Sequence, residues 1–118
     1  MGEEVNNDSE INIFRALDFI RDQAPVYAKA KAERVYLEEF RKTKKALLMK
    51  QALVAGHTTV NAQEREAYAD AGYQELLIGM KEATEAEETL RWRIVAAQAR
   101  IEVWRTIEST RRIEAKNV

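Results

Sequence analysis

Leu76, Met80, Ala83, Glu87, Leu90, Ile94, Ala97, Ile101 and Trp104 recur at alternating steps of four and three. That spacing sets these side chains on one stripe of a helix, the seam of a coiled-coil-like pairing. One member, Glu87, is polar. The same helix carries a second apolar row. At about 100° per residue, Leu90, Ile94, Ala97, Ile101 and Trp104 fall on one side, and Trp92, Ala96, Ala99, Val103 and Ile107 fall opposite. Two arginine columns stand between the rows: Arg91, Arg105 and Arg112 in one, Arg93, Arg100 and Arg111 in the other. A surface helix needs one apolar stripe, and a helix apolar on opposite sides is buried between neighbours. A chain of 118 residues can cover one face well and struggles to cover both. The sequence therefore implies self-association, with Trp92, Ala96, Ala99, Val103 and Ile107 meeting another subunit. The alternative is an N-terminal helix folded back over that second face.

The rest of the chain also reads as helix. Residues 9–23 form a short amphipathic helix, capped by Asp8 or Ser9. Its apolar edge is Ile11, Phe14, Leu17 and Ile20 or Arg21. Pro25 ends that helix or bends the chain. Residues 25–55 form a basic helix with an apolar stripe of Ala28, Ala32, Val35/Tyr36, Phe40, Thr43, Leu47 and Val54, stopped by Gly56. His57 to Val60 is a loop. Asn61 caps the next helix, with Glu64 as its capping-box partner. Residues 62–115 form the long C-terminal helix, and Asp70-Ala71-Gly72 allows either continuity or a break. The fold class is all-α: a long, coiled-coil-like helical hairpin with a short N-terminal helix, oligomerising, in a single helical domain over 1–118.

Composition narrows the functions. There is no cysteine, so no disulfide scaffold, thiolate metal cluster or thiol nucleophile exists. One proline and four glycines argue against a turn-dense β sandwich. The longest uncharged run, Gln51 to Gln63, is too short and too polar to span a membrane. Met1 to Glu10 carries acid rather than base, unlike a signal peptide. His57 stands alone, with no ligand cluster at metal spacing. The glycines are scattered, so no phosphate loop exists. Glu38-Glu39 and Glu87-Glu88 read as solvated helix charges rather than a catalytic pair. No enzyme, metal or cofactor is expected.

Charge alternates in blocks: net −4 over 1–22, +5 over 23–63, −6 over 64–90 and +4 over 91–118. Within the second block Arg41, Lys42, Lys44, Lys45 and Lys50 stand without an acid between them. Arg91-Trp92-Arg93 and Trp104-Arg105 interleave cations with indoles, and Arg100 lies in the same helix. A nucleic-acid strand needs cations for its phosphates and flat side chains for stacking. Arg41, Lys42, Lys44, Lys45, Lys50, Arg91, Arg93 and Arg100 are thus the candidate nucleic-acid contacts. The competing use of these bases is pairing with the acidic block 64–90 inside the hairpin.

A lysine- and arginine-rich helix, a loop and an alanine-rich helix ending Arg91-Trp92-Arg93-Ile94-Val95-Ala96-Ala97-Gln98-Ala99-Arg100-Ile101-Glu102-Val103-Trp104-Arg105-Thr106 resemble small helical bacteriophage proteins. The layout over residues 26–112 is similar to the phage recombination mediators of the UvsY type. The resemblance implies a helical homo-oligomer that binds single-stranded DNA and helps load a RecA-like recombinase onto strands covered by single-strand-binding protein. It implies action in the host-cell cytoplasm. On it, Lys42, Lys44, Lys45 and Lys50 correspond to the DNA-facing surface, and Leu90 through Ile107 to the oligomer-forming helix. The alternative is a helical protein–protein interaction module without DNA binding: a phage adaptor, scaffold or inhibitor of a host protein.

Overall fold

The computed structural model describes residues 2–117, and side chains from residue 13 onward. Among these residues the chain is helical, with no strand: α1 is Gly2–Val54, α2 is Val60–Ala69 and α3 is Ala71–Lys116. The helices contribute to two compact units. One, the terminal unit, holds the chain up to Tyr27 and from Glu88 onward; the other, the turn unit, holds Ala28–Glu87. No described helix is long and apolar enough to cross a membrane.

The expected short N-terminal helix is not a separate element, because α1 runs through Pro25. Proline removes one hydrogen bond and costs a helix interior about 3 kcal/mol. Arg21, Asp22 and Pro25 are exposed, so the released carbonyl of Arg21 lies on the solvent side, where the loss is least. Asp8 and Ser9 lie inside α1 and do not cap it; their side chains and that of Ile11 lie outside the described ones.

The chain turns after α1 through a glycine. Gly56 takes φ +108°, a conformation costly for a residue with a Cβ. Its N–H donates to Leu53 O at 3.1 Å and the His57 N–H donates to Ala52 O at 3.0 Å. This reciprocal pair closes the helix C-terminus by the Schellman pattern. Nothing lies within 4 Å of a Cβ built on Gly56, so the cost of a substitution there is backbone strain alone. Gly56→Ala is expected to lower stability by about 1–2 kcal/mol, read as a fall in urea midpoint with unchanged helix content.

Thr59, not Asn61, caps α2. Thr59 is extended and its Oγ1 accepts from the Ala62 N–H at 3.2 Å. Threonine is a competent cap, ranked somewhat below asparagine, and the turn after Gly56 delivers it first. Glu64, freed from a capping box, pairs instead with Lys45 at 3.3 Å.

The open question at 70–72 resolves as a break. Asp70 stands in extended conformation between α2 and α3. Its Oδ1 accepts from the Gly72 N–H at 2.8 Å and the Tyr73 N–H at 3.2 Å, which caps α3. A Cβ on Gly72 would come within 3.0 Å of that oxygen and 3.2 Å of Lys44 Nζ, so glycine keeps the cap close.

The turn unit packs around Leu48, Ala67 and Tyr73, with Met49 against them. Tyr68 meets Tyr73 edge to face, centroids 5.5 Å apart. Lys45 Nζ lies 5.0 Å from the Tyr68 ring centroid. Hydrogen bonding to Tyr68, then Glu64, holds the Lys45 ammonium above its ordinary pKa.

The heptad seam of α3 is where packing occurs. Every member from Leu76 to Trp104 is buried or half-buried, Ala97 to 5 % and Glu87 to 4 % exposure. In the turn unit Glu87 receives the guanidinium of Arg34, which also donates to Glu38 at 2.9 Å. Those two carboxylates, Glu87 foremost, raise the Arg34 pKa. The polar member of the seam is thus an ion-pair position.

The α1 stripe expected to pack is on the outside. Ala28, Ala32, Val35, Tyr36, Phe40, Thr43, Leu47 and Val54 are all exposed, as are Phe14 and Leu17. The covered row instead runs Ile13, Ala16, Ile20, Gln23, Tyr27, Ala30, Arg34, Leu37, Lys44, Leu48, Ala52. Its heptad rhythm is masked by polar members, and Arg34 occupies the inner row because it matches Glu87.

Candidate nucleic-acid and subunit interface

The second face of α3 is open. Trp92, Val103 and Ile107 are 58 %, 59 % and 44 % exposed, and Ala96 and Ala99 are exposed too. The fold-back alternative is therefore not realised by the described residues. The Trp92 indole N–H donates to Glu88 Oε2 at 3.0 Å. The Arg91 guanidinium lies 5.1 Å from the Trp92 ring centroid and pairs with the same Glu88 oxygen at 3.2 Å. These contacts fix a large aromatic side chain while leaving it exposed. Trp104, in the seam, is half-buried, and its indole N–H has no acceptor among the described residues.

No large side chain among the described residues is fully buried.

The cations fall into two groups. Along α3, Arg91, Arg105 and Arg111 each pair with a glutamate three residues earlier, at 3.1–3.2 Å. Arg93 and Arg100 are exposed with no such pair among the described residues. The sequence explains the difference: positions three and four away from them hold Thr89, Leu90, Ala96, Ala97, Val103 and Trp104, none acidic. Along α1, Lys42 pairs with Glu39 at 3.4 Å and Lys45 with Glu64 at 3.3 Å. Arg41 and Lys50 are exposed and Lys44 is half-buried beside Gly72, with no carboxylate pair among the described residues. Of the five bases from Arg41 to Lys50, then, only Lys45 is paired with the acidic block 64–90.

Arg93 and Arg100 come together in the terminal unit. They line a cleft of about 300 Å³ with Ala96 and Ala97 from α3 and Arg15, Ala16 and Phe19 from α1. Arg15 and Phe19 are the additions that a reading of the linear sequence missed. Their signal lay in Ala16, a small residue of the inner row flanked by an arginine and followed by an aromatic one turn on. His57 Nε2 stands 4.0 Å from Glu66, and no group of three or more metal-ligating side chains occurs among the described residues. No protein-family model, curated protein or solved structure matches the chain.

Proposed function

We propose that this chain works as a homo-oligomer that binds single-stranded DNA and assists a RecA-like recombinase in a phage-infected cell. The observation that carries the binding is the division of the cations. Arg93, Arg100, Arg41 and Lys50 are exposed and are not tied up by described carboxylates, so they remain available to phosphates. Self-association draws its support from the open Trp92–Ile107 row. Subunits joined along it bring several modest patches onto one strand, which multiplies their affinity. The role in recombination rests on the resemblance to the UvsY type.

Light scattering reads the assembly, and anisotropy of a labelled single-stranded oligonucleotide reads the binding. At about 50 mM salt the strand is bound, and the logarithm of affinity falls linearly with the logarithm of salt. Arg41→Glu with Lys50→Glu weakens binding by about tenfold or more, since two charges change sign and the net charge of each subunit on the strand falls by four units. A wild-type chain that ignores the oligonucleotide at low salt ends the DNA reading.

The second reading, a protein–protein module, is favoured by the outer row of α1. Tyr36 and Phe40 stack there in the open, centroids 6.0 Å apart, beside exposed Val35 and Leu47. A partner recovered by pulldown equally well with and without nuclease treatment selects that reading.

A further inference from the structure

We infer that the cleft between Arg15 and Phe19 of α1 and Arg93 and Arg100 of α3 is a seat for one nucleotide of a bound strand. The inference deepens the single-strand reading and rests on it for the ligand. Three arginines line this cleft and, among the described residues, no carboxylate does. Like charges lining one cleft repel one another. An anion in the cleft relieves that repulsion. Guanidinium presents its donors in a planar fork suited to phosphate oxygens.

The rest of the lining fits the rest of a nucleotide. Phe19 supplies a flat face for a base. Ala96 and Ala97 form a floor with little side-chain bulk, which lets a ligand reach the helix. A volume of about 300 Å³ lies at the lower end of small-ligand sites, suited to a single nucleotide unit. Ala96 belongs both to this cleft and to the open apolar row of α3. The nucleotide seat therefore borders the surface assigned to the neighbouring subunit, and a strand leaving one seat is already beside the next copy.

The test uses the full chain with two probes. In the first, thermal unfolding is followed with thymidine monophosphate or inorganic phosphate against chloride at matched ionic strength. Wild type is stabilised by both anions, and by the nucleotide more. Arg93→Gln with Arg100→Gln loses the response. In the second, anisotropy compares an oligothymidine with an abasic strand of equal length. The same double variant binds both at least about tenfold more weakly, and its log–log salt slope is shallower by about 1.4, at about 0.7 per lost charge. Arg105→Gln with Arg111→Gln removes the same charge from the same helix and leaves affinity nearly unchanged. Phe19→Leu keeps the phosphate response and the abasic affinity but loses about tenfold on oligothymidine. If the two arginine pairs weaken binding equally, or if neither anion stabilises wild type, the cleft is not the seat while the DNA reading stands. If the nucleotide response is present and lost in Arg93→Gln with Arg100→Gln, yet no strand binds, the cleft stands and the DNA reading falls.

Discussion

Val103→Ser with Ile107→Ser releases single subunits. Both side chains are exposed within the chain, so their loss leaves the helix pair of the terminal unit intact. The open row, by contrast, loses two of its three largest members. Each buried aliphatic side chain of this size contributes about 1.5–3 kcal/mol when covered. The pair together shifts the dissociation constant of an interface by roughly 100-fold or more. Serine is chosen over aspartate because an acid at 103 would sit one helical turn from Arg100 and pair with it, confounding assembly with strand binding. Light scattering across a dilution series is the measurement, with circular dichroism as the check on helix content. A double variant of the same mass and concentration dependence as wild type would remove the row from any interface. A wild-type chain that is already a single subunit would do the same.

Tyr73→Ala unfolds the turn unit at denaturant concentrations the wild type withstands. Tyr73 is one of three buried residues in the only apolar cluster of buried side chains among the described residues, and its ring is also the edge partner of Tyr68. Truncating a buried aromatic costs about 3–5 kcal/mol. Typical urea slopes for small proteins are about 1–3 kcal/mol per molar, so the midpoint falls by more than about 1 M. The other two members make the effect hard to absorb. Ala67 is fully buried and has no side-chain bulk to move into the gap, and Leu48 is held within α1. Tyr73→Phe retains most of the stability, since the ring and not the hydroxyl carries the packing. Equal losses for both variants would assign the role to the hydroxyl.

What could be read from the sequence was the periodic part of α3. Its seam is made almost wholly of apolar side chains, so the rhythm survives without knowledge of the partner. The opposite row was equally legible, and its members are exposed within the chain. Helix α1 misled because its more apolar row faces out. The inner row contains Gln23, Arg34 and Lys44, which look like surface residues until Glu87 is set opposite Arg34. Such a pairing is a property of two helices together, and no window along one of them contains it. Pro25 misled for a related reason: a local penalty of about 3 kcal/mol is outweighed when the helix on either side of it is packed. The caps were missed by two residues at Thr59 and left undecided at Asp70, since Thr59, Asn61 and Asp70 are all competent caps and backbone geometry selects among them. For the candidate site, the absence of acids around Arg93 and Arg100 was visible, and the convergence with Arg15 and Phe19 was not. That convergence depends on the register of α1 against α3.

The two indoles of this chain live in opposite solvents. Trp92 is wet and tethered to a carboxylate, whereas the Trp104 nitrogen is dry and lacks an acceptor among the described residues. Light absorbed by the first reports what settles on the outside of α3, and light absorbed by the second reports whether the helix pair beneath it is closed. A single emission spectrum therefore separates the arrival of a neighbour from the loss of the fold, with no dye attached.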